Sequence, residues 1–260
     1  MNAPNPAAGP PEPVVVFHQF SAWFGENPAL RQVDLAVYPR ERLSLIGPAG
    51  SGKTTLLRSL TRLHDLTPRF THQGIIRLHG QDIFAAAMDV TWLRRQVGYV
   101  SSPSTPLPGS VFDNLAIPLR LAGEHEATVL HEKVVQGLQS AFLWEDLKDR
   151  LREPALGLNS GAQRRLALAR ALVFDPAVLL LDDPCAGLDN VTASIFEDVL
   201  QEISARRAVV FATHDSKEAA RASERTAFLS QGQLIECGAT RQVFLQPAQR
   251  LTLDFITERF

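Results

Sequence analysis

The stretch from Gly47 to Thr55, reading GPAGSGKTT, constrains this chain more than any other. It fits the pattern G-x-x-x-x-G-K-[ST], with Gly47, Gly52, Lys53 and Thr54 in the required places. A phosphate chain is bound without a bulky pocket when backbone N–H groups turn inward, and glycine permits that turn and that close approach. The flanks agree with this use. RLSLIG (Arg42 to Gly47) is a short apolar strand pattern, and TTLLRSLTRL (Thr54 to Leu63) opens a helix whose N-terminal dipole adds to the site. The backbone of Gly47, Pro48, Ala49, Gly50, Ser51, Gly52 and Thr55 is expected to wrap the phosphates. Lys53 supplies a point charge to the outer ones, and the Thr54 hydroxyl is placed to ligate Mg2+. The expected ligand is a nucleoside triphosphate.

Composition removes several classes of function. Charged residues make up 21% of 260 and hydrophobic ones 45%, as in an ordinary soluble globular protein with a sizeable core. A net charge of -2 gives no electrostatic reason to expect nucleic acid as a partner. The two cysteines, Cys185 and Cys237, form no metal-binding pair by spacing and suit a reducing compartment. No run of about 18 apolar residues crosses a membrane. The N-terminus lacks the basic and apolar regions of a signal peptide. These features predict a cytoplasmic chain that reaches a membrane only through a partner.

Along the chain, Met1 to Pro13 is rich in Pro, Ala and Asn and reads as a disordered tail. VVVFHQF (Val14 to Phe20) and VDLAVY (Val33 to Tyr38) read as strands, GIIRLHG (Gly74 to Gly80) as a strand and turn, and VGYVSS (Val97 to Ser102) as a short strand. Trp23 and Phe24 precede a glycine turn, where an exposed aromatic can stack on a nucleobase or fill the core. PSTPLP (Pro103 to Pro108) is a rigid extended segment. From Ser110 to Leu151 the patterns are helical, beginning with a Ser cap. NSGAQRRLALARAL (Asn159 to Leu172) is a capped helix. The apolar residues of VLLLDDP (Val178 to Pro184) mark a buried parallel strand whose terminal Asp182 faces a ligand crevice. The strand AVVFATH (Ala208 to His214), the strand pair TAFLS and QLIEC, and a terminal helix RLTLDFITERF complete an α/β core. The organisation expected is a single domain over 14–260 after a tail at 1–13. Its core would span 14–88 and 175–260, with a helical subdomain inserted over about 89–174.

Taken in order, these motifs resemble an ABC-type ATPase subunit, and the resemblance covers nearly the whole chain after the tail. Gly47 to Thr55 is similar to the family's Walker A loop, Leu179 to Asp182 to its Walker B strand and AGLD (Ala186 to Asp189) to its D-loop. His214 is similar to its switch histidine, and Phe24, just before Gly25, to its base-stacking aromatic. Within the family the resemblance is strongest to the ATPase of bacterial phosphate importers, carried by LHDLTPRFTHQGIIRLHGQDIF, STPLPGSVFDN, PALGL and THDSKEAARASERTAFL. It implies a P-loop α/β fold of ABC type with an antiparallel β portion near the N-terminus. It also implies ATP and Mg2+ as cofactors, with Thr54 and Asp182 on the metal. The implied assembly is a head-to-tail homodimer gripping transmembrane permease subunits on the inner face of the cell membrane, with a solute-binding protein as an indirect partner. The expected permease dock is Ser102 to Gly109.

Three positions depart from the family's pattern. Its Q-loop glutamine aligns with Ser102, and the glutamate credited with activating the attacking water is Asp183. The signature Leu-Ser-Gly-Gly-Gln aligns without a gap to Leu158-Asn159-Ser160-Gly161-Ala162. A one-residue shift would match more letters but rotate the following helix by about 100° away from its packing face. Asn159 or Ser160, with Gly161, then offers the contact to a partner's γ-phosphate. The expected catalytic set is Asp183, His214 and Ser102. The leading expectation is an importer ATPase of the phosphate class with slow turnover. An ATP-dependent dimerisation switch with little turnover is the alternative. A soluble ABC protein for DNA repair or cluster assembly is disfavoured by the absence of a coiled-coil insertion, a basic face or a Cys cluster.

Overall fold

Ten strands and ten α-helices follow from local patterns in the computed structural model, which describes residues 11–259. The tail expected over 1–13 lies largely outside the described residues. The N-terminal part is an antiparallel sheet of β1 (Val15–Phe24), β2 (Asn27–Val37), β4 (Phe70–Leu78) and β5 (Gln81–Asp82), in the order β2-β1-β4-β5. Between β2 and β4 run β3 (Arg42–Ile46) and α1 (Lys53–Leu60). After β5 come α2 (Val90–Gln96), β6 (Val97–Val100), α3 (Val111–Leu121), α4 (Ala127–Ser140), α5 (Trp144–Leu147) and α6 (Ser160–Leu172). The last third holds β7 (Val178–Asp182), α7 (Asn190–Ser204), β8 (Ala208–Thr213), α8 (Ser216–Ala222), β9 (Arg225–Ser230), β10 (Gln233–Ala239), α9 (Thr240–Leu245) and α10 (Arg250–Ile256).

The second sheet has the order β10-β9-β3-β8-β7-β6, parallel except for the β9–β10 hairpin. β7 and β8 are buried along their whole length, so both of their faces must be apolar. Val178 and Leu180 face one core with α1 and the antiparallel sheet, while Leu179 and Leu181 face the other with α6 and α7. That alternation is the period of two expected of a strand covered on both sides. β6 pairs in parallel with β7, so Val97 to Val100 belongs to the large sheet although it falls inside the 89–174 range expected to be the helical subdomain.

Most helix starts are set by a side chain acting on orphan N–H groups. The Ser110 side chain accepts from the Asp113 N–H and the Asp113 carboxylate accepts from the Ser110 N–H, a reciprocal cap on α3. Asn159 caps α6 by accepting from Ala162, and Asp189 caps α7 by accepting from Val191 and Thr192. Of Asn159 and Ser160, the one that caps α6 is Asn159. In this register Leu166, Ala167, Leu168, Ala169 and Leu172 are buried.

Candidate active site

The parallel strands end in a row. Ile46 lies opposite Thr213, Asp182 opposite Ala212, and Val100 opposite Leu181, so the residues that follow β3, β7, β8 and β6 emerge on one carboxyl edge. Ligands of open α/β sheets bind at that edge. Here it carries the Gly47 loop, Asp182 with Asp183, His214, and Ser102 two residues beyond β6.

Two glycines make the loop possible. A Cβ on Gly47, at φ +148°, would lie 2.1 Å from the Leu229 carbonyl oxygen. One on Gly52, at φ +105°, would meet the Ala29 carbonyl at 2.9 Å and the Leu30 side chain at 2.8 Å. α1, which starts after Gly52, has no side-chain cap and no acid in its first turn. The longer helices α3, α4, α6 and α7 are all capped by a side chain. The first-turn N–H groups of α1 therefore face the loop without a carboxylate competing for them, as an anion site requires.

Lys53 is buried, and its Nζ donates to the carbonyls of Gly47 at 2.6 Å and Pro48 at 3.0 Å. Burial lowers its pKa, while the nearby carboxylates of Asp183 and Asp182 act the other way. Its third partner is the Ser51 hydroxyl at 3.4 Å, and a phosphate arriving beside it would offset the desolvation with opposite charge. Thr54 Oγ1 donates to Asp182 Oδ1 at 2.9 Å across a separation of 128 residues. The other oxygen, Oδ2, accepts from the Tyr99 hydroxyl at 3.1 Å, and Arg58 Nε donates to that hydroxyl at 3.2 Å. Asp182 is thus fixed from both sides. His214 Nδ1 lies 3.1 Å from Asp183 Oδ1.

A cavity of about 310 Å3 is lined by Ala29, Ala49, Gly50, Ser51, Gly52, Lys53, Thr54, Thr55 and Asp183. Asp182 joins this group through Thr54, and His214 through Asp183. Gly47 and Pro48 join it through Lys53, and Ser102 follows β6 on the same edge, but Phe24 and the Asn159–Gly161 turn lie elsewhere. Phe24 packs against His64 and Phe70, with ring centroids at 5.1 and 5.5 Å, and does not line this cavity. Asn159, Ser160 and Gly161 sit at the start of α6, where a Cβ on Gly161 would come within 2.6 Å of Thr192 at the start of α7. None of the three lines the cavity beside Lys53.

Tyr99, Arg58 and Ala29 were not singled out from the sequence. One signal for Tyr99 was present: a tyrosine in a short buried strand needs a hydroxyl partner. Ala29 and Arg58 carry no such signal.

A strand, a glycine loop holding a buried lysine, and a helix with open N–H groups, all beside a Thr–Asp pair, define a P-loop nucleotide triphosphatase. Residues 30–186 match the family described as ABC transporter. The chain is 38% identical over 246 residues to "Phosphate import ATP-binding protein PstB 2" of Streptococcus thermophilus (strain CNRZ 1066), covering 95% of this chain and 98% of that one. It is 37% identical over 249 residues to "Phosphate import ATP-binding protein PstB 1" of Streptococcus mutans serotype c, covering 96% and 99%. Among solved structures, a bacterial Atm1-family ABC exporter with ATP bound superposes with a TM-score of 0.78 at 24% identity, covering 100% of this chain and 44% of that chain. That likeness concerns the fold. The chain belongs to the ABC transporter family, and as a member it is an ATP-binding ATPase.

Proposed function

We propose that this chain is the ATP-hydrolysing subunit that energises a membrane importer of phosphate or a similar solute. The observation that carries the reading is the array at the carboxyl edge: buried Lys53, the Thr54–Asp182 pair and the Asp183–His214 pair around one cavity. The full-length identity to two phosphate-import ATP-binding proteins supports the solute.

In this reading the loop amides and Lys53 hold the triphosphate, and Asn159, Ser160 and Gly161 of a second copy close over its γ-phosphate. Phe24 stacks on the base once its ring turns out of the aromatic cluster. The Thr54 hydroxyl and Asp182 carboxylate are hard oxygen donors side by side, which suits Mg2+, an ion that takes one or two protein oxygens and completes its shell with water and phosphate. Held by Thr54 and Asp182, such an ion would supply positive charge to neutralise the phosphates. Asp183 is the general base for water, His214 senses the γ-phosphate, and Ser102 faces the same edge without the amide of a glutamine. The chain sits on the inner face of the membrane through its permease; no helix among the described residues is long and apolar enough to cross one. No nucleic acid partner is proposed. The organisation is one ABC-type domain with a helical insertion, which begins after β6.

Two predictions test the assembly. With Asp183→Asn to block hydrolysis, Mg-ATP converts the chain from monomer or weak dimer to a firm dimer. Sedimentation with no ATP-dependent change in mass, alone or with permease, would count against the head-to-tail arrangement. The second concerns docking. Asn114 accepts from the Leu107 N–H at 2.7 Å and donates to its carbonyl at 3.1 Å, so the backbone is clamped while the residue stays 36% exposed. Leu107→Asp is expected to release the subunit from permease-containing membranes with ATP affinity unchanged. Loss of both together would show that Leu107 serves the core instead.

A further inference from the structure

Arg164 lies on α6, one turn past the Asn159–Gly161 turn, and contacts the segment that follows β7. Its Nη1 donates to the carbonyls of Asp183 at 3.1 Å and Pro184 at 2.6 Å, and its Nη2 donates to the carbonyl of Ala186 at 2.9 Å. Three carbonyl dipoles in a stretch of four residues converge on one planar cation. Without it their negative ends would face one another in a half-buried turn, where an unpaired carbonyl costs about as much as a lost hydrogen bond. Burial lowers the basicity of Arg164, but a guanidinium keeps its proton.

The segment it holds turns at Asp183 through an uncommon backbone state. Asp183 has φ +48°, in the left-handed region that L-residues other than Asn and Asp rarely adopt. Its N–H donates to the Ala212 carbonyl at 2.8 Å, its carbonyl accepts from Arg164, and its carboxylate meets His214 at 3.1 Å. A sparsely populated backbone state persists when its surroundings over-determine it, and such states gather at active sites. With β8 holding one end of the Asp183 peptide and α6 the other, the carboxylate direction depends on where α6 sits.

We infer that Arg164 is a positioning residue that couples the signature turn of each chain to that same chain's Asp183. This rests on the head-to-tail reading above. In such a dimer the signature turn of one chain meets the ATP held by its partner, while its Asp183 serves the ATP held by itself. Asn159 and Arg164 share one helix, so closure onto the partner's ATP moves the guanidinium and with it the turn at Asp183. The close approach of Gly161 to Thr192 gives α6 a second contact, with the start of α7. ATP at one site thereby sets the water-activating carboxylate at the other.

The test compares full-length wild type with Arg164→Gln and Arg164→Lys, measuring turnover against ATP concentration alongside ATP-dependent dimerisation. A glutamine amide satisfies one carbonyl, and a lysine ammonium is a compact donor without the fork. Arg164→Gln is expected to lower kcat about tenfold, in line with the sensitivity of positioned groups to small displacements, and to bring the Hill coefficient close to one. KM is expected to stay within about twofold, because no phosphate contact is lost. Arg164→Lys is expected to fall between the two in kcat. Wild-type kcat and cooperativity in Arg164→Gln would overturn the inference. So would kcat and KM failing together in both variants with lowered Tm, since that marks a purely structural role. A wild type that neither dimerises nor hydrolyses ATP would instead remove the proposed function itself.

Discussion

Lys53→Ala lowers ATP affinity by about two orders of magnitude. Hydrogen bonds to a charged group contribute about 1.5–3 kcal/mol each, and every 1.4 kcal/mol is roughly tenfold in Kd. Lys53 is buried and already desolvated, and the acids that act on it are Asp183 and Asp182. Most of the cost of taking the ammonium out of water is therefore met in the fold and not on binding. The substitution also frees the Gly47 and Pro48 carbonyls, whose negative ends would then face the incoming phosphates. Calorimetric titration with Mg-ATP measures the effect, with thermal unfolding as a control for the fold. An unchanged Kd in a folded variant would show that this loop is not the nucleotide site.

The second large effect is on rate. A general base works within about 2.6–3.2 Å of its proton donor, and positioned proton transfer contributes about 10²–10⁴-fold. Asp183 lines the cavity with Lys53, but it is one methylene shorter than glutamate, so its carboxylate is withdrawn by about 1.5 Å, one carbon–carbon bond. Its carboxylate is also drawn to His214. Slow basal turnover is the expected result, with ATP still bound through Lys53 and Thr54. Asp183→Glu is expected to raise turnover several-fold, because the added reach acts directly on the reacting water. The left-handed backbone, which tolerates Asp better than Glu, works against the gain but does not touch the nucleotide. A steady-state phosphate-release assay decides between outcomes. Background turnover in Asp183→Glu with permease present would favour the dimerisation switch. A wild type that is already fast would mean the turn brings Asp183 into reach as it stands.

Much of the site was legible because its chemistry is local. The Gly47–Thr55 loop, its flanking strand and its helix lie within a few residues of one another. The demands that Gly47 and Gly52 meet are steric ones that no other residue satisfies there. The same holds for the Ser110 cap, since a cap reads only the next turn of chain, whereas its reciprocal partner Asp113 was not singled out. β7 was legible as a strand covered on both faces because four apolar residues in a row leave no polar side to expose. Phe24 shows where such reading stops. Its place before a glycine turn was visible, but the rings of His64 and Phe70 that enclose it come from other elements.

From the sequence alone, then, came the ligand class, the glycine loop expected to bind it, most of the strands and longer helices, and the two carboxylates at the end of β7. Each of these is written in spacing of a few residues, where backbone geometry leaves few alternatives. The tertiary structure alone decided which oxygen of Asp182 faces Thr54 and which faces Tyr99, and that Asp183 is left-handed and paired with His214. It alone decided that β6 joins the large sheet, and that Arg164 gathers three carbonyls beyond β7. The physical reason is that a hydrogen bond across 19 or 128 residues depends on how packed sheets and helices bring chain segments together, and no local periodicity records that distance.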